Sequence, residues 1–340
     1  MGRLDGVGTL LPDPDLLLYF YVRKEAVLSS QIEGTQSSLS ELLLFESEEW
    51  LAAADADVRE VSNYVDALYH GLGELRNGFP LSMRLIRDMH RILLASGRGS
   101  DKDPGEFRRS QNWLGGTRPA NAVFVPPPHQ DLPGLLSDLE RFLHDEPRRT
   151  PVLLKAALAH AQFETIHPFL DGNGRMGRLL ITLLLCAEKA MVKPLLFLSL
   201  HFKQNRHAYY DLLQSVREDG EWEAWVAFFL EGVEAMADQG TDTARKVLDL
   251  VQVDRRRIQQ KHGSAGSLIR VHDLLQRQPL LSIPAAAKSL RLSQPTVSAC
   301  FARLTDLGVV RELTGMTRNR RFSYQAYFDL LAEGTEPIPA

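Results

Sequence analysis

Apolar residues recur every three or four positions along most of this chain, so the pattern predicts α-helix almost throughout. Leu17, Phe20, Tyr21, Lys24 and Leu28 share one face of a first helix, and Val58, Val61, Tyr64, Val65 and Leu68 share one face of a second. The same period predicts helices over 81–94, 132–144, 151–165, 174–188, 206–216, 222–236 and 241–260. It breaks between Asp101 and Pro128, where Gly115-Gly116, Pro119 and Pro126-Pro127-Pro128 surround the short apolar run Ala122 to Val125. A small hairpin or an extended flap is expected there. A second break over 261–266, made of Gly and Ser after a helical run, reads as a short hinge.

Beyond the hinge the elements are shorter and can be placed singly. A helix is expected over 267–277. Ser282 with Pro284 suits the cap and first turn of a second helix running to Leu290, and Ser293 caps a third that ends at Gly308. Val309 to Leu313 and Arg321 to Tyr324 follow as two strands joined by a basic turn. This order resembles a winged helix-turn-helix, whose second helix enters the DNA major groove. Gln294, Thr296 and Ser298 at the start of that helix would face base edges, and Arg318, Arg320 and Arg321 on the wing would face phosphates. A protein-contact or dimerisation role for the same module stays open at this level, and so does a homodimer.

Charge sharpens that picture. The chain of 340 residues has a formal net charge of −4. Residues 265–330 carry nine Arg and Lys against four Asp and Glu, a net of +5, so the remainder carries −9. A basic module on an acidic body points to a nucleic-acid partner at that end. The apolar fraction of 44% and charged fraction of 24% are those of a folded globular protein. No apolar stretch approaches the roughly 20 residues that a bilayer span requires, so no membrane partner is expected. Residues 1–15 carry Asp5, Asp13 and Asp15 and lack a basic n-region before an apolar one, so export is not expected. Cys186 and Cys300 stand alone in apolar contexts, which suits buried thiols in a reducing cytoplasm.

The candidate chemistry lies in one run between two strongly apolar helices: His167-Pro168-Phe169-Leu170-Asp171-Gly172-Asn173-Gly174-Arg175-Met176-Gly177-Arg178. A helix starting near Gly174 presents free N–H groups and a partial positive charge, which together attract an anion. Arg175 and Arg178 add guanidinium forks suited to phosphate. Glycines let backbone approach a ligand closely. Asp171 offers a hard oxygen to magnesium, and His167 is a titratable base beside it. No GK[ST] follows, so this is not a P-loop.

The run resembles the HxFx[DE]GNGRxxR signature of Fic-domain proteins, the Fic/Doc-type protein adenylyltransferases, at every specified position. The resemblance extends to Gly105-Glu106-Phe107-Arg108, to the segment from Asn112 to Pro127, and to Arg206-His207-Ala208-Tyr209-Tyr210. It implies a mainly α fold: an N-terminal helical region over 1–95, a catalytic core with its flap over 96–240, a linker helix and hinge over 241–264, a winged helix over 265–330 and a tail over 331–340. It further implies that His167 is the general base. ATP, as co-substrate, would be held by Asp171, Gly172, Asn173, Gly174, Arg175, Met176, Gly177 and Arg178, with Mg2+ on Asp171. Asn173 and the adjacent backbone would anchor the α-phosphate, and the two arginines would hold the β- and γ-phosphates. Tyr209 and Tyr210 would wall the adenosine pocket, and Val123, Phe124 and Val125 would hold the backbone of a target protein by strand addition. Fic relatives also move UMP, phosphocholine or phosphate; the complete GNGRxxR run favours AMP from ATP.

Ser29-Ser30-Gln31-Ile32-Glu33-Gly34 is similar to the inhibitory [ST]xxxE[GN] motif of autoinhibited Fic proteins, which implies that Glu33 pairs with Arg178 and denies it to the γ-phosphate. The activity so implied is transfer of AMP to a Ser, Thr or Tyr hydroxyl of a target protein and of the chain itself. The competing expectation is a DNA-binding regulator in which the same site senses nucleotide.

Overall fold

The structure is a computed structural model and describes residues 2–4, 6, 14–46, 56–191, 193–262, 266–316 and 320–337. The expected hinge residues Gly263, Ser264 and Ala265, the wing residue Arg318, the acidic Asp5 and Asp13 and the last three residues of the tail lie outside these. The chain divides into two compact units: Met1–Asp5 with Tyr21–Asp238 and Pro337–Ala340, and Gly6–Phe20 with Gln239–Glu336.

The first unit is helical: α1 (Pro14–Ile32, whose first residues belong to the other unit), α2 (Leu39–Glu46), α3 (Ala56–Arg76), α4 (Met83–Leu93), α5 (Leu132–Leu143), α6 (Val152–Ile166), α7 (Asn173–Ala187), α8 (Ser199–Gln204), α9 (Arg206–Asp219) and the first part of α10 (Trp222–His262). At its centre α7 packs against α6, with α3, α4, α5 and α9 around the pair. The sequence of α7 explains this position. Met176, Leu179, Leu180, Ile181, Leu183, Leu184 and Leu185 are all buried, and a helix that is apolar on every side belongs in the middle of a core. Lys155 locks the far ends of this pair. Its ammonium is buried and meets Asp145 at 2.6 Å and Glu188 at 2.5 Å. A second cluster joins α6 to α10, where the buried indole of Trp225 donates to the Ala157 carbonyl at 2.8 Å.

Where the period predicted two helices over 222–236 and 241–260, the structure has the single 41-residue α10. Gly240 costs a helix interior about 1 kcal/mol, and the buried Ala237, Ala244 and Val247 on either side outweigh it. The expected flap is extended chain with one antiparallel bridge, Leu114 to Phe124, in which Leu114 N–H donates to Phe124 O at 2.8 Å and Val123 N–H to Leu114 O at 2.9 Å.

In the second unit α11 (Gly266–Arg277), α12 (Ile283–Leu290) and α13 (Gln294–Asp306) stand beside a three-stranded antiparallel sheet in the order β1 (Leu280–Ser282), β3 (Arg321–Ser323), β2 (Arg311–Glu312), and α14 (Gln325–Ala332) closes the chain of elements. Both expected caps form. Ser282 Oγ accepts from Ala285 N–H and Ser293 Oγ from Thr296 N–H. The strand β1 has no counterpart among the expected elements, because three residues carry no period of their own and become a strand only by pairing with β3, Leu281 opposite Phe322. Gln294 and Thr296 are exposed at the start of α13, but Ser298 is half-buried and accepts from Arg320 Nη2 at 3.3 Å. Among the described residues, no helix is long and apolar enough to cross a membrane.

Candidate functional site

The run from His167 to Arg178 forms the turn between α6 and α7. His167 caps α6 in the left-handed region, φ 50° and ψ 60°, and Gly172 precedes α7 at φ 77°. Two side chains close the turn. Asn173 Oδ1 accepts from Phe169 N–H at 2.9 Å and its Nδ2 donates to Phe169 O at 2.8 Å. The Asn173 side chain is therefore spent largely on the turn, and its part in an anion site falls to the backbone at the helix start. Asp171 Oδ1 accepts from Gly172 N–H at 2.6 Å and lies 3.6 Å from Arg175 Nη2. Met176 is a core side chain with no exposure.

Sequence reasoning missed what holds this turn from behind. His90, on α4, is fully buried and stacks on Phe169 with 3.7 Å between ring centroids. Gly105 N–H donates to its Nδ1, so the ring proton sits on Nε2 and donates to Asp171 O at 2.9 Å. Burial pushes His90 down to about 4, which keeps that neutral tautomer. Arg108, buried and on the segment before the flap, donates to the carbonyls of His167 and Ile166. Asn112 Nδ2 donates to Phe169 O. Gly105 and Arg108 lie in the GEFR run and Asn112 opens the flap segment, both stretches that the resemblance reaches, whereas His90 carries no motif signal.

The two motif arginines are buried cations with carboxylates on them. Arg178 Nη2 meets Glu33 Oε1 at 2.7 Å and Ser29 O at 3.0 Å, while its Nε donates to Ser29 Oγ at 2.7 Å. Burial pushes the Glu33 carboxyl up, but the Arg178 charge and hydrogen bond, with Arg175 and Arg98 nearby, hold it below its ordinary value. It is therefore an anion at neutral pH. It also lies over the first turn of α7: a Cβ on Gly174 would come within 2.2 Å of Glu33 Oε1, so any side chain there would have to push the carboxylate aside. Arg175 is held differently, by the buried Glu60 of α3 at 2.6 Å; Arg98 ties the two carboxylate elements together by donating to Glu60 Oε1 and to Glu33 O. Nη1 of Arg178 and Nε and Nη2 of Arg175 are buried with no hydrogen-bond partner. Guanidinium donors left over at a helix N-terminus can receive an anion.

His167 Nδ1 faces only acceptors, Glu164 O at 3.4 Å and Glu164 Oε2 at 4.0 Å, so its proton sits on Nδ1 and Nε2 carries the lone pair. Burial, then the Arg217 charge, pushes this imidazole down to about 4. It is a neutral base at physiological pH. Glu164, buried on the same helix, is pushed up to about 7 by burial.

The structure separates the two tyrosines. Tyr209 is 1% exposed, its hydroxyl bonded to His160 Nε2 and its ring stacked on Phe202, so it belongs to the aromatic core. The expectation that both tyrosines wall a nucleotide pocket narrows to Tyr210, which keeps 41% exposure beside Arg206. On the flap Val123 and Val125 are exposed, while Phe124 lies under the guanidinium of Arg217 at 4.3 Å and Val123 O accepts from Gln214 Nε2.

As to metal, Asp171 is the carboxylate at the turn, and no group of three or more His, Cys, Asp or Glu capable of holding a metal occurs among the described residues. One carboxylate beside an anion site suits magnesium that shares its other positions with phosphate oxygens and water.

Residues 1–73 match the Fic/DOC family N-terminal model and residues 80–185 the Fic/DOC family model. The chain is similar to the protein adenylyltransferase Fic of Aedes aegypti, 37% identical over 164 residues, which is 48% of this chain and 30% of that protein. It is 36% identical over 160 residues to the protein of the same description from Drosophila melanogaster, 46% of this chain and 29% of that one. The matched region thus spans under a third of the length of these curated relatives. In fold it is similar to the crystal structure of a Fic family protein from Desulfovibrio desulfuricans, with a TM-score of 0.56 at 20% identity over 93% of this chain and 88% of that one.

Proposed function

We propose that this chain, which belongs to the Fic/DOC family through both its N-terminal region and its helical core, is a protein adenylyltransferase restrained by its own Glu33. The observation that carries this reading is the turn itself, which sets His167 at the end of α6 and, at the start of α7, buried guanidinium donors of Arg175 and Arg178 that have no hydrogen-bond partner. ATP is the co-substrate. Its phosphates lie along the α7 N-terminus, drawn by the free N–H groups, Arg175 and Arg178. A hydroxyl oxygen of the target attacks the α-phosphorus in line, the bond from that phosphorus to the bridging oxygen breaks, and pyrophosphate leaves. His167 Nε2 takes the hydroxyl proton. Magnesium held by Asp171 would neutralise phosphate charge when bound. The remaining contribution of the chain is placement of the two reactants. A target backbone would meet the flap over Val123 to Val125, whose Val123 and Val125 are exposed. The absence of a disulfide at Cys186 and Cys300 suits a cytoplasmic setting.

The test is a mass-spectrometric search for AMP adducts in lysate treated with wild type and with Glu33→Gly. Adducts on Ser, Thr or Tyr that grow with the variant support the reading; no adducts with either, on protein shown to bind ATP, sink it.

For the second unit we propose contact with DNA through α13, on the strength of its exposed Gln294 and Thr296, the nearby Arg320 and the net charge of +5 over 265–330. It is proposed as an addition to the enzyme and not in place of it. Binding to duplex DNA should weaken with salt, with a log–log slope of about −0.9 for each phosphate neutralised, and should survive His167→Ala. A salt-independent signal, or none at micromolar protein, removes DNA as a partner.

A further inference from the structure

Helix α9 carries two side chains that no motif marks and that reach the flap and the catalytic turn together. Gln214 Nε2 donates to Val123 O at 3.2 Å. One turn on, Arg217 lays its guanidinium over the Phe124 ring at 4.3 Å and donates from Nη2 to Glu164 O at 3.1 Å, the carbonyl that also faces His167 Nδ1. Nη1 of Arg217 lies 3.4 Å from Gln214 Oε1, and its Nε is buried with no partner. We propose that Arg217 is a positioning residue for the transfer, a cationic bracket that fixes the target-holding flap to the last turn of α6 and so sets the flap edge against His167. The proposal concerns the same site as the adenylyltransferase reading and rests on it for the meaning of the flap.

Three physical effects follow from this one side chain. A guanidinium stacked on an aromatic ring is attracted to its face, which helps to hold a short loop that has a single backbone bridge. Its hydrogen bond to Glu164 O occupies that carbonyl and with it the orientation of the imidazole. Its charge disfavours protonation of His167. The ionisable groups facing His167 are Glu164 from α6, Glu33 from the turn after α1, Arg108 from the segment before the flap and Arg217 from α9. The Glu164 backbone carbonyl and the Glu33 carboxylate favour the imidazolium and the two arginines oppose it. Arg217 is the stronger of the opposing pair.

Arg217→Gln and Arg217→Lys separate the effects, and neither measurement needs turnover. In Arg217→Gln the NMR titration midpoint of His167, assigned by its loss in His167→Ala, should move up by roughly one pH unit. The amides of Leu114 and Val123, which close the flap bridge, should exchange with solvent about tenfold faster. Arg217→Lys keeps the charge without the planar stack, so it should hold the midpoint near its wild-type value while the two amides still exchange faster. In a Glu33→Gly background, Arg217→Gln should cut self-labelling from α-labelled ATP at least tenfold while ATP affinity changes less than about twofold. Wild-type exchange at the flap amides, or an unmoved His167 midpoint, in Arg217→Gln overturns the proposal. If Glu33→Gly alone incorporates no label, the adenylyltransferase reading has failed, and the titration and exchange results still judge the bracket. If Arg217→Gln does not fold, Arg217→Lys decides on flap exchange alone.

Discussion

Glu33→Gly is expected to raise self-labelling from α-labelled ATP by on the order of 100-fold. The Glu33 carboxylate lies over the first turn of α7 and pairs with Arg178 at 2.7 Å, so it takes the place and the charge partner that a phosphate needs. ATP that enters while Glu33 is present must bind with its phosphates displaced, and misplacement of a reacting atom by an ångström removes orders of magnitude in rate. Glycine removes both the charge and the bulk. Glu33→Gln keeps the bulk and removes the charge, so it should give an intermediate rate, which separates repulsion from steric exclusion. The change has a structural cost as well. Arg178 is buried, and losing its partner leaves it with Ser29 alone, a destabilisation of about 1–3 kcal/mol once the partial exposure of Glu33 is allowed for. ATP should restore the lost melting temperature, because phosphates replace the missing anion. Equal initial rates for wild type and Glu33→Gly would show that the carboxylate does not restrain transfer.

In that released background, His167→Ala should lower labelling at least 1000-fold while ATP affinity stays within about threefold, since the imidazole handles the acceptor proton and the arginines hold the phosphates. His167 sits at φ 50°, where alanine is strained by about 1 kcal/mol or more. His167→Asn, which tolerates that backbone, is the companion variant and should be equally inactive. The pH profile gives an independent check. Transfer needs the neutral imidazole, and burial together with Arg217 holds His167 down at about 4, so the rate should stay level as pH falls through 6.5 and decline only as it approaches 4. A decline centred near 6.5 would mean that the base is solvated, or is another group. Equal labelling with and without His167 would remove it from the reaction.

Some of this site could be read before any coordinates because its parts are neighbours in the chain. A helix start, its glycines, two arginines one turn apart and a histidine at the end of the preceding helix interact through local backbone geometry, and local geometry is legible in a contiguous run. Ser282 and Ser293 were legible as caps for the same reason. Glu33 was reached only through its resemblance to an inhibitory motif, since 145 positions separate it from Arg178. Glu60, His90, Arg98 and Arg217 had no such signal. They come from α3, α4, the loop after α4, and α9, and each looks like an ordinary polar residue until the helices pack. The long helix α10 was misread and the strand β1 missed for the opposite reason, because a single glycine and a three-residue segment say little locally and their state is set by what they pack or pair with.

By itself, then, the sequence determined where most of the helices lie, that a glycine-rich turn with two arginines lies between two apolar helices, and which titratable groups that turn contains. Only the tertiary structure decided which carboxylate meets which arginine, that Tyr209 turns inward to His160 and Phe202 while Tyr210 stays open, and that His167 is a neutral base. The physical reason is range. Backbone hydrogen bonding and helix capping are settled within a few residues, whereas ion pairing and proton affinity depend on loss of water and on charges that separate helices bring within a few ångströms of one another.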